Sequence, residues 1–232
     1  MTAPAAALQP LATRLRAHLG TLGQGLLERE TAVRLLLLGA LAGEHVLLIG
    51  PPGTAKSELA RRLHRCFADS AYFERLLTRF STPEELFGPL SLKALEDDRY
   101  ERLVDGYLPT AGIAFLDEVF KANSAILNTL LTLLNEREFD NGSGRRPTPL
   151  VSLVGATNEP PADDALLAFH DRFLLRVPVA PVGDTSFTAL LKGRDARPAL
   201  QAAPLTPADL QAVRSAADAV ARGAEALAAL AA

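Results

Sequence analysis

The sequence turns on one stretch, Val46-Leu47-Leu48-Ile49-Gly50-Pro51-Pro52-Gly53-Thr54-Ala55-Lys56-Ser57. Its apolar run stops at a glycine, the pattern of a short strand buried on both faces. A glycine- and proline-rich turn follows, and a helix is expected from about Lys56 to Phe67. Strand, turn and helix in that order aim main-chain N–H groups and a helix N-terminus at one point, where an anion is favoured. Lys56 adds a positive charge there, and Ser57 adds a hydroxyl able to ligate a hard divalent cation.

Residues Gly50 to Ser57 resemble a Walker A loop, with Ala55 where the pattern has its second glycine. Alanine costs little at that position unless a positive φ is needed. Gly50, Pro51, Pro52, Gly53, Thr54, Ala55, Lys56, Ser57 and Glu58 are expected to surround the phosphates of ATP. Lys56 would reach the β- and γ-phosphates and Ser57 would ligate Mg²⁺.

A second buried strand, Ile113-Ala114-Phe115-Leu116, ends in Asp117-Glu118 and resembles Walker B. Asp117 is expected to hold Mg²⁺ through water. Glu118 is expected to polarise the attacking water as general base. A third strand, Leu150 to Val154, leads to Thr157-Asn158. Alone, Asn158 reads as a turn residue; beside the other two motifs its amide is placed to orient the water. The three strand ends together read as an Mg²⁺-dependent ATPase.

Outward from these motifs the chain alternates strands and helices. Helical runs fill about Ala5 to Gly43, and further strands are expected at Tyr72–Leu77 and Phe173–Val177. Alternation of this kind predicts an α/β fold, with a five-stranded parallel sheet between helices. Thr82-Pro83-Glu84-Glu85 reads as a capped helix start, and Leu90 to Pro109 as a hairpin-like insertion. Pro178 to Pro181 marks a boundary. Residues 1–180 are expected to form the nucleotide-binding core, and 181–232 part of a C-terminal helical lid in which Thr206 caps a helix.

Bulk composition excludes several classes. The 232 residues carry a net charge of −3, too little to draw the chain onto nucleic acid or an anionic membrane. The apolar run Leu35 to Ala42 is too short to span a bilayer. Residues Met1 to Gln9 lack a signal-peptide pattern, and the four histidines lack metal-ligand spacing. Cys66 can form no internal disulfide, which fits a reducing cytoplasm, and reads as a small core residue.

The motifs, taken with Thr78-Arg79-Phe80-Ser81-Thr82-Pro83-Glu84-Glu85-Leu86-Phe87-Gly88-Pro89-Leu90, Tyr100-Glu101-Arg102-Leu103, Gly106-Tyr107-Leu108-Pro109, Ile126 to Leu131, Asn135-Glu136-Arg137 and Asp171-Arg172, resemble the MoxR branch of the AAA+ ATPases, and most closely its RavA-type members. The resemblance covers about Leu22 to Val179, and alanine in the Walker A loop is usual there. It implies a ring, usually a hexamer, with ATP at subunit interfaces. Asn158 matches the sensor 1 position. Arg172 matches the arginine finger that acts on the neighbour's γ-phosphate, with Arg176 as its competitor. It also implies chaperone-like remodelling and a partner carrying a von Willebrand factor A domain. The segment Leu90 to Pro109 matches the insertion in the second helix of the core. The lid reads as cut short in Ala228-Ala229-Leu230-Ala231-Ala232, with no sensor 2 pattern around Arg214 or Arg222.

Two other functions compete. Arg145 and Arg146, in a glycine-rich loop, would serve a nucleic-acid translocase if that loop faced a pore, though arginines without aromatic neighbours read more simply as a solvated turn. A non-hydrolysing ATP-bound scaffold is the third reading, and Glu118 and Asn158 argue against it.

Overall fold

A computed structural model of the chain describes residues 8–142, 144–161, 163–187 and 202–220. Arg222 and the alanine-rich end lie outside the described residues. The chain opens with helices α1 (Gln9–Gly23) and α2 (Glu30–Ala42). Gly43 stops α2 in a left-handed cap at φ 80°, and the chain passes directly into β1 (Val46–Ile49). Then follow α3 (Lys56–His64), β2 (Tyr72–Leu76), α4 (Pro83–Phe87), α5 (Leu92–Glu96) and β3 (Ile113–Asp117). The described residues continue with α6 (Ser124–Glu136), β4 (Glu138–Asp140), β5 (Arg145–Pro147), β6 (Ser152–Thr157), α7 (Asp164–His170), β7 (Leu175–Pro178) and α8 (Pro207–Asp218), and short 3-10 turns lie at Leu108–Thr110 and Val119–Lys121.

The expected five-stranded sheet is present, in the order β2-β3-β6-β1-β7, and every pairing in it is parallel. Successive side chains along each strand enter opposite layers. Val46, Leu48, Ile113, Phe115 and Val154 pack with α1, α2, α3 and α8 through Leu36, Leu59 and Leu210. Leu47, Ala114, Leu116 and Leu153 pack the other way, with Leu130 and Leu133 of α6 and with Phe87, Phe169 and Phe173. Burial on both faces is why the strands read as unbroken apolar runs. Among the described residues no helix is long and apolar enough to cross a membrane.

Several boundaries differ from expectation, each for a tertiary reason. Helix α3 ends at His64 rather than near Phe67, because Cys66 and Ala68 exchange main-chain hydrogen bonds with Leu205 (2.7 and 2.9 Å). Phe173 leaves β7 to pack edge-on against Phe169, so that strand starts at Leu175. Pro178 is tolerated there because β7 is an edge strand. The segment Leu90 to Pro109 does close like a hairpin, through an antiparallel bridge between Leu90 and Arg102, but it holds the short helix α5 inside.

The loop carrying Arg145 and Arg146 is not a bare turn but the antiparallel ribbon β4–β5. Arg145 pairs with Glu136 (2.5 Å) and Arg146 with Glu101 (3.3 Å). The Asn141 side chain accepts the Arg102 N–H (2.7 Å) and donates to the Arg102 carbonyl (3.2 Å). Both arginines are thus engaged by carboxylates, and the ribbon is tied to the insertion. Thr206 caps α8 as expected, and Asp209 completes the box while pairing with Arg14 of α1 (2.7 Å). That guanidinium and the Thr206 N–H hold the Asp209 carboxyl down to about 2. Cys66 is fully buried, which pushes its thiol up to about 12.

His45 ties the start of β1 to the neighbouring strand β6 and to helix α6. Its Nδ1 accepts the Leu153 N–H (3.0 Å) and its Nε2 faces the Leu134 carbonyl (3.3 Å). Burial, aided by the Arg137 charge, lowers its pKa from the ordinary 6.5 to about 3. Unfolded chains protonate this imidazole below pH 6.5, whereas the folded protein does so only near pH 3. Its contribution is therefore full above pH 6.5 and shrinks as the pH falls, by up to about 1.4 kcal/mol per pH unit. Urea unfolding at pH 7, 6, 5 and 4 should show this slope in the natural protein and a flatter one in His45→Gln. Parallel curves for the two proteins would assign the acid sensitivity elsewhere.

Candidate nucleotide site

The loop after β1 is pinned from both sides. Gly50 donates its N–H to Thr157 of β6 (3.0 Å), and Val179, just past β7, donates to Ile49 (2.7 Å). A Cβ on residue 50 would overlap the Val179 carbonyl oxygen, so only glycine fits. Gly53 (φ 80°) and Ala55 (φ 68°) are both left-handed. Such conformations turn successive N–H groups toward one concavity, a cradle for anions. Ala55 is the N-cap of α3 and makes no side-chain cap, which leaves the amides of the helix start without a side-chain partner. The condition set on alanine is met in the unfavourable sense: the position does take positive φ, at a cost of about 1 kcal/mol.

Lys56 is only 7% exposed. Its Nζ donates to the Gly50 and Pro51 carbonyls (2.6 and 2.9 Å), and no carboxylate lies within ion-pair distance among the described residues. An ammonium has three donors. One remains for a ligand, and a buried cation without an anion is costly. The cradle therefore suits a polyphosphate. Ser57 follows on the first turn of α3. The Glu58 carboxylate turns the other way, to Arg62 (2.9 Å), which in turn donates to the Leu22 and Gln24 carbonyls at the end of α1 (3.2 and 2.6 Å).

Asp117 ends β3, and Glu118 follows at φ 52°, a third left-handed residue of the site. The Glu118 N–H is held by Asp117 Oδ1 (3.0 Å). Asn158, one residue past β6, donates its Nδ2 to Glu118 Oε1 (2.6 Å). Lys121 Nζ lies 3.3 Å from Glu118 Oε2, placed by the 3-10 turn Val119–Lys121. Both oxygens of the carboxylate are thus engaged. Strand β6 separates β1 from β3, two inter-strand steps or roughly 10 Å. The loop, Asn158 and the acidic pair therefore share one edge at the carboxyl ends of neighbouring strands, where open α/β sheets bind ligands. Ser57 and Asp117 offer the hydroxyl and carboxylate oxygens that suit Mg²⁺. Among the described residues no cluster of three or more His, Cys, Asp or Glu forms a cage for a metal, so phosphate oxygens and water would complete its coordination.

Arg172 stands apart from this group. It lies in the turn before β7, beside Glu44, His45 and Asn135 around a cavity of about 330 Å³ at the amino ends of the strands. Leu175 aligns with Val46, at the far end of β1 from the loop. A strand of 4 residues spans roughly 13 Å, so Arg172 lies far from the loop of its own chain. Asp171 pairs with Arg176 (3.1 Å), and among the described residues Arg172 has no ion pair.

Spacing did not single out a cavity of about 420 Å³ beside the loop, lined by Leu26, Leu27, Thr54, Pro181 and Val182 among others. Its wall comes from three separate parts of the chain, which is why no local motif announces it. Glu28 ties two of these parts together by accepting the Gly183 N–H (3.0 and 3.2 Å). The Ser186 hydroxyl and that N–H hold its carboxyl below the usual range. Lys121 was the more legible omission, a basic residue one turn after the acidic pair.

Residues 13–215 match the family described as the MoxR domain of MoxR-vWA-beta-propeller ternary systems. The chain belongs to the MoxR family of AAA+ ATPases. Two uncharacterised proteins of Methanocaldococcus jannaschii are each 55% identical to this MoxR chain over 151 residues, 65% of the chain and 40% of each relative. Chaperone MoxR1 of Mycobacterium tuberculosis is 28% identical over 156 residues, again 65% of the chain and 40% of the relative. The chain thus spans about 40% of the length of these curated relatives. A crystal structure from Cytophaga hutchinsonii, described as a candidate ATPase, superposes with a TM-score of 0.71 at 18% identity, over 91% of this chain and 65% of that one. At that identity the likeness speaks for the fold.

The tight passage at Gly50 gives a direct test. Gly50→Ala should cost about 2 kcal/mol in urea unfolding, the scale of an overpacked core. It should also weaken binding of a fluorescent ATP analogue by tenfold or more, since the loop must move off Val179.

Proposed function

We propose that this MoxR chain hydrolyses ATP with Mg²⁺ at the interfaces of a homo-oligomeric ring, and uses the energy to remodel or mature a protein partner. The observation that carries the reading is the shared edge itself. It joins a buried, anion-free Lys56 in a cradle of amides to a Glu118–Asn158 pair 2.6 Å apart.

The roles follow from the chemistry of each group. The amides of Gly53 to Ser57 and the Lys56 ammonium hold the β- and γ-phosphates. Ser57 and Asp117 hold Mg²⁺, which when bound neutralises charge on the phosphates. Glu118 accepts the proton of the attacking water, and Asn158 keeps that carboxylate in place. Arg172 supplies its planar cation to the γ-phosphate of the adjacent copy. The distance of Arg172 from its own loop supports action in trans. The wall of Leu26, Leu27 and Val182 suits the apolar face of the base. The family's association with vWA and β-propeller proteins supports a vWA-domain partner, and the MoxR1 description supports chaperone-like work.

Glu118→Gln should bind Mg-ATP as tightly as the natural protein by calorimetry, yet release phosphate about 10²-fold more slowly or worse. Equal turnover would remove Glu118 from its role as base. For Arg172, specific activity should rise with protein concentration, and mixing Arg172→Ala with Lys56→Ala subunits should restore part of the activity that each lacks alone. Failure to complement would count against a shared site.

A further inference from the structure

Arg29 has a setting that phosphate chemistry explains and packing does not. It is 6% exposed, and its guanidinium donates to three main-chain carbonyls from three separate segments. Nη1 bonds Glu28 (2.7 Å) in the linker between α1 and α2, Nε bonds Thr54 (3.1 Å) in the loop, and Nη2 bonds Ala180 (2.6 Å) beyond β7. No carboxylate lies within ion-pair distance of it among the described residues. Of the two acids that flank it in sequence, Glu28 bonds Gly183 and acts on Arg29 only through its charge, and Glu30 stands exposed in the first turn of α2. Neutral carbonyls satisfy the donors but do not cancel the charge, and the exposed Glu28 carboxylate offsets it only from a distance, so the guanidinium is buried without an ion pair of its own, which is unfavourable. Arg29 and Lys56 are thus two buried cations fastened to the same loop, the first at Thr54 and the second at Gly50 and Pro51.

The bond to Thr54 is specific in its effect. The Thr54 carbonyl belongs to the peptide whose N–H is that of Ala55, the left-handed residue of the cradle. A cation on the carbonyl polarises the whole peptide and strengthens its N–H as a donor. It also holds the strained turn that aims that N–H. We propose that Arg29 is a positioning residue that complements phosphate charge from behind the loop, fixing the Ala55 peptide and adding a positive charge that touches no phosphate. Because Ala180 shares the same guanidinium, the grip also joins the loop to the chain leaving β7. The inference rests on the proposed nucleotide site.

The test is a comparison of ligands that differ only in charge. Affinities of ATP, ADP and AMP are measured by calorimetry with Mg²⁺ for the natural chain, Arg29→Met and Arg29→Lys. Failure of the natural chain to bind ATP would defeat the nucleotide reading itself. If the natural chain binds, Arg29→Met should lose affinity in a graded way. The loss for ATP should be about tenfold greater than that for AMP, as a charge acting at a distance of several ångströms requires. Equal losses for all three ligands would reduce Arg29 to a structural brace and overturn the proposal. Should Arg29→Met not fold, Arg29→Lys decides. It keeps the charge and loses the fork, so its ATP-to-AMP preference should stay within about threefold of the natural value. A preference reduced tenfold or more in Arg29→Lys would overturn the role of the charge.

Discussion

Strand β1 is short, and it is hydrogen bonded along both edges, to β6 and to β7. That double pairing fixes where the chain can go next. The loop leaves between Thr157 and Val179, under a carbonyl that admits no side chain at residue 50. From there two left-handed residues turn it back into α3. The position of the cradle, the burial of Lys56 and the line of the neighbouring strand ends all descend from this one confined exit. His45 at one end and Gly50 at the other hold the strand in register, so the loop leaves from an interior strand anchored at both ends.

The fold was legible because its strands are buried on both faces and read as apolar runs ending at glycine or acid. Strand β3 was read almost to its bounds, while β6, expected over Leu150 to Val154, begins at Ser152 and runs on to Thr157, directly before Asn158. Boundaries were less legible where distant segments intervene. Nothing near His64 in sequence says that Leu205 will capture the next turn. Nothing near Phe173 says that a partner ring at Phe169 will outcompete the sheet.

The candidate site divides along the same line. Local motifs carried the loop, the acidic pair and Asn158. The direction of a side chain escaped them: Glu58 belongs to the first turn of α3, yet its carboxylate faces Arg62 and the end of α1. Conformation escaped them too, since Ala55 looked inexpensive until its φ was known. Arg29 and the cavity beside the loop depend on three stretches meeting, and that is information about space rather than order along the chain. The separation of Arg172 from the loop also became visible only through strand register.

The ribbon β4–β5 and the insertion before β3 are fastened by Asn141, whose amide imitates a strand neighbour for Arg102. Gly142 leaves no space for a side chain against Tyr100, so the two protrusions interlock as well as bond. Neither can shift against the other without breaking both contacts, and the ribbon follows directly on α6, whose first residues come just after the turn that carries Glu118 and Lys121.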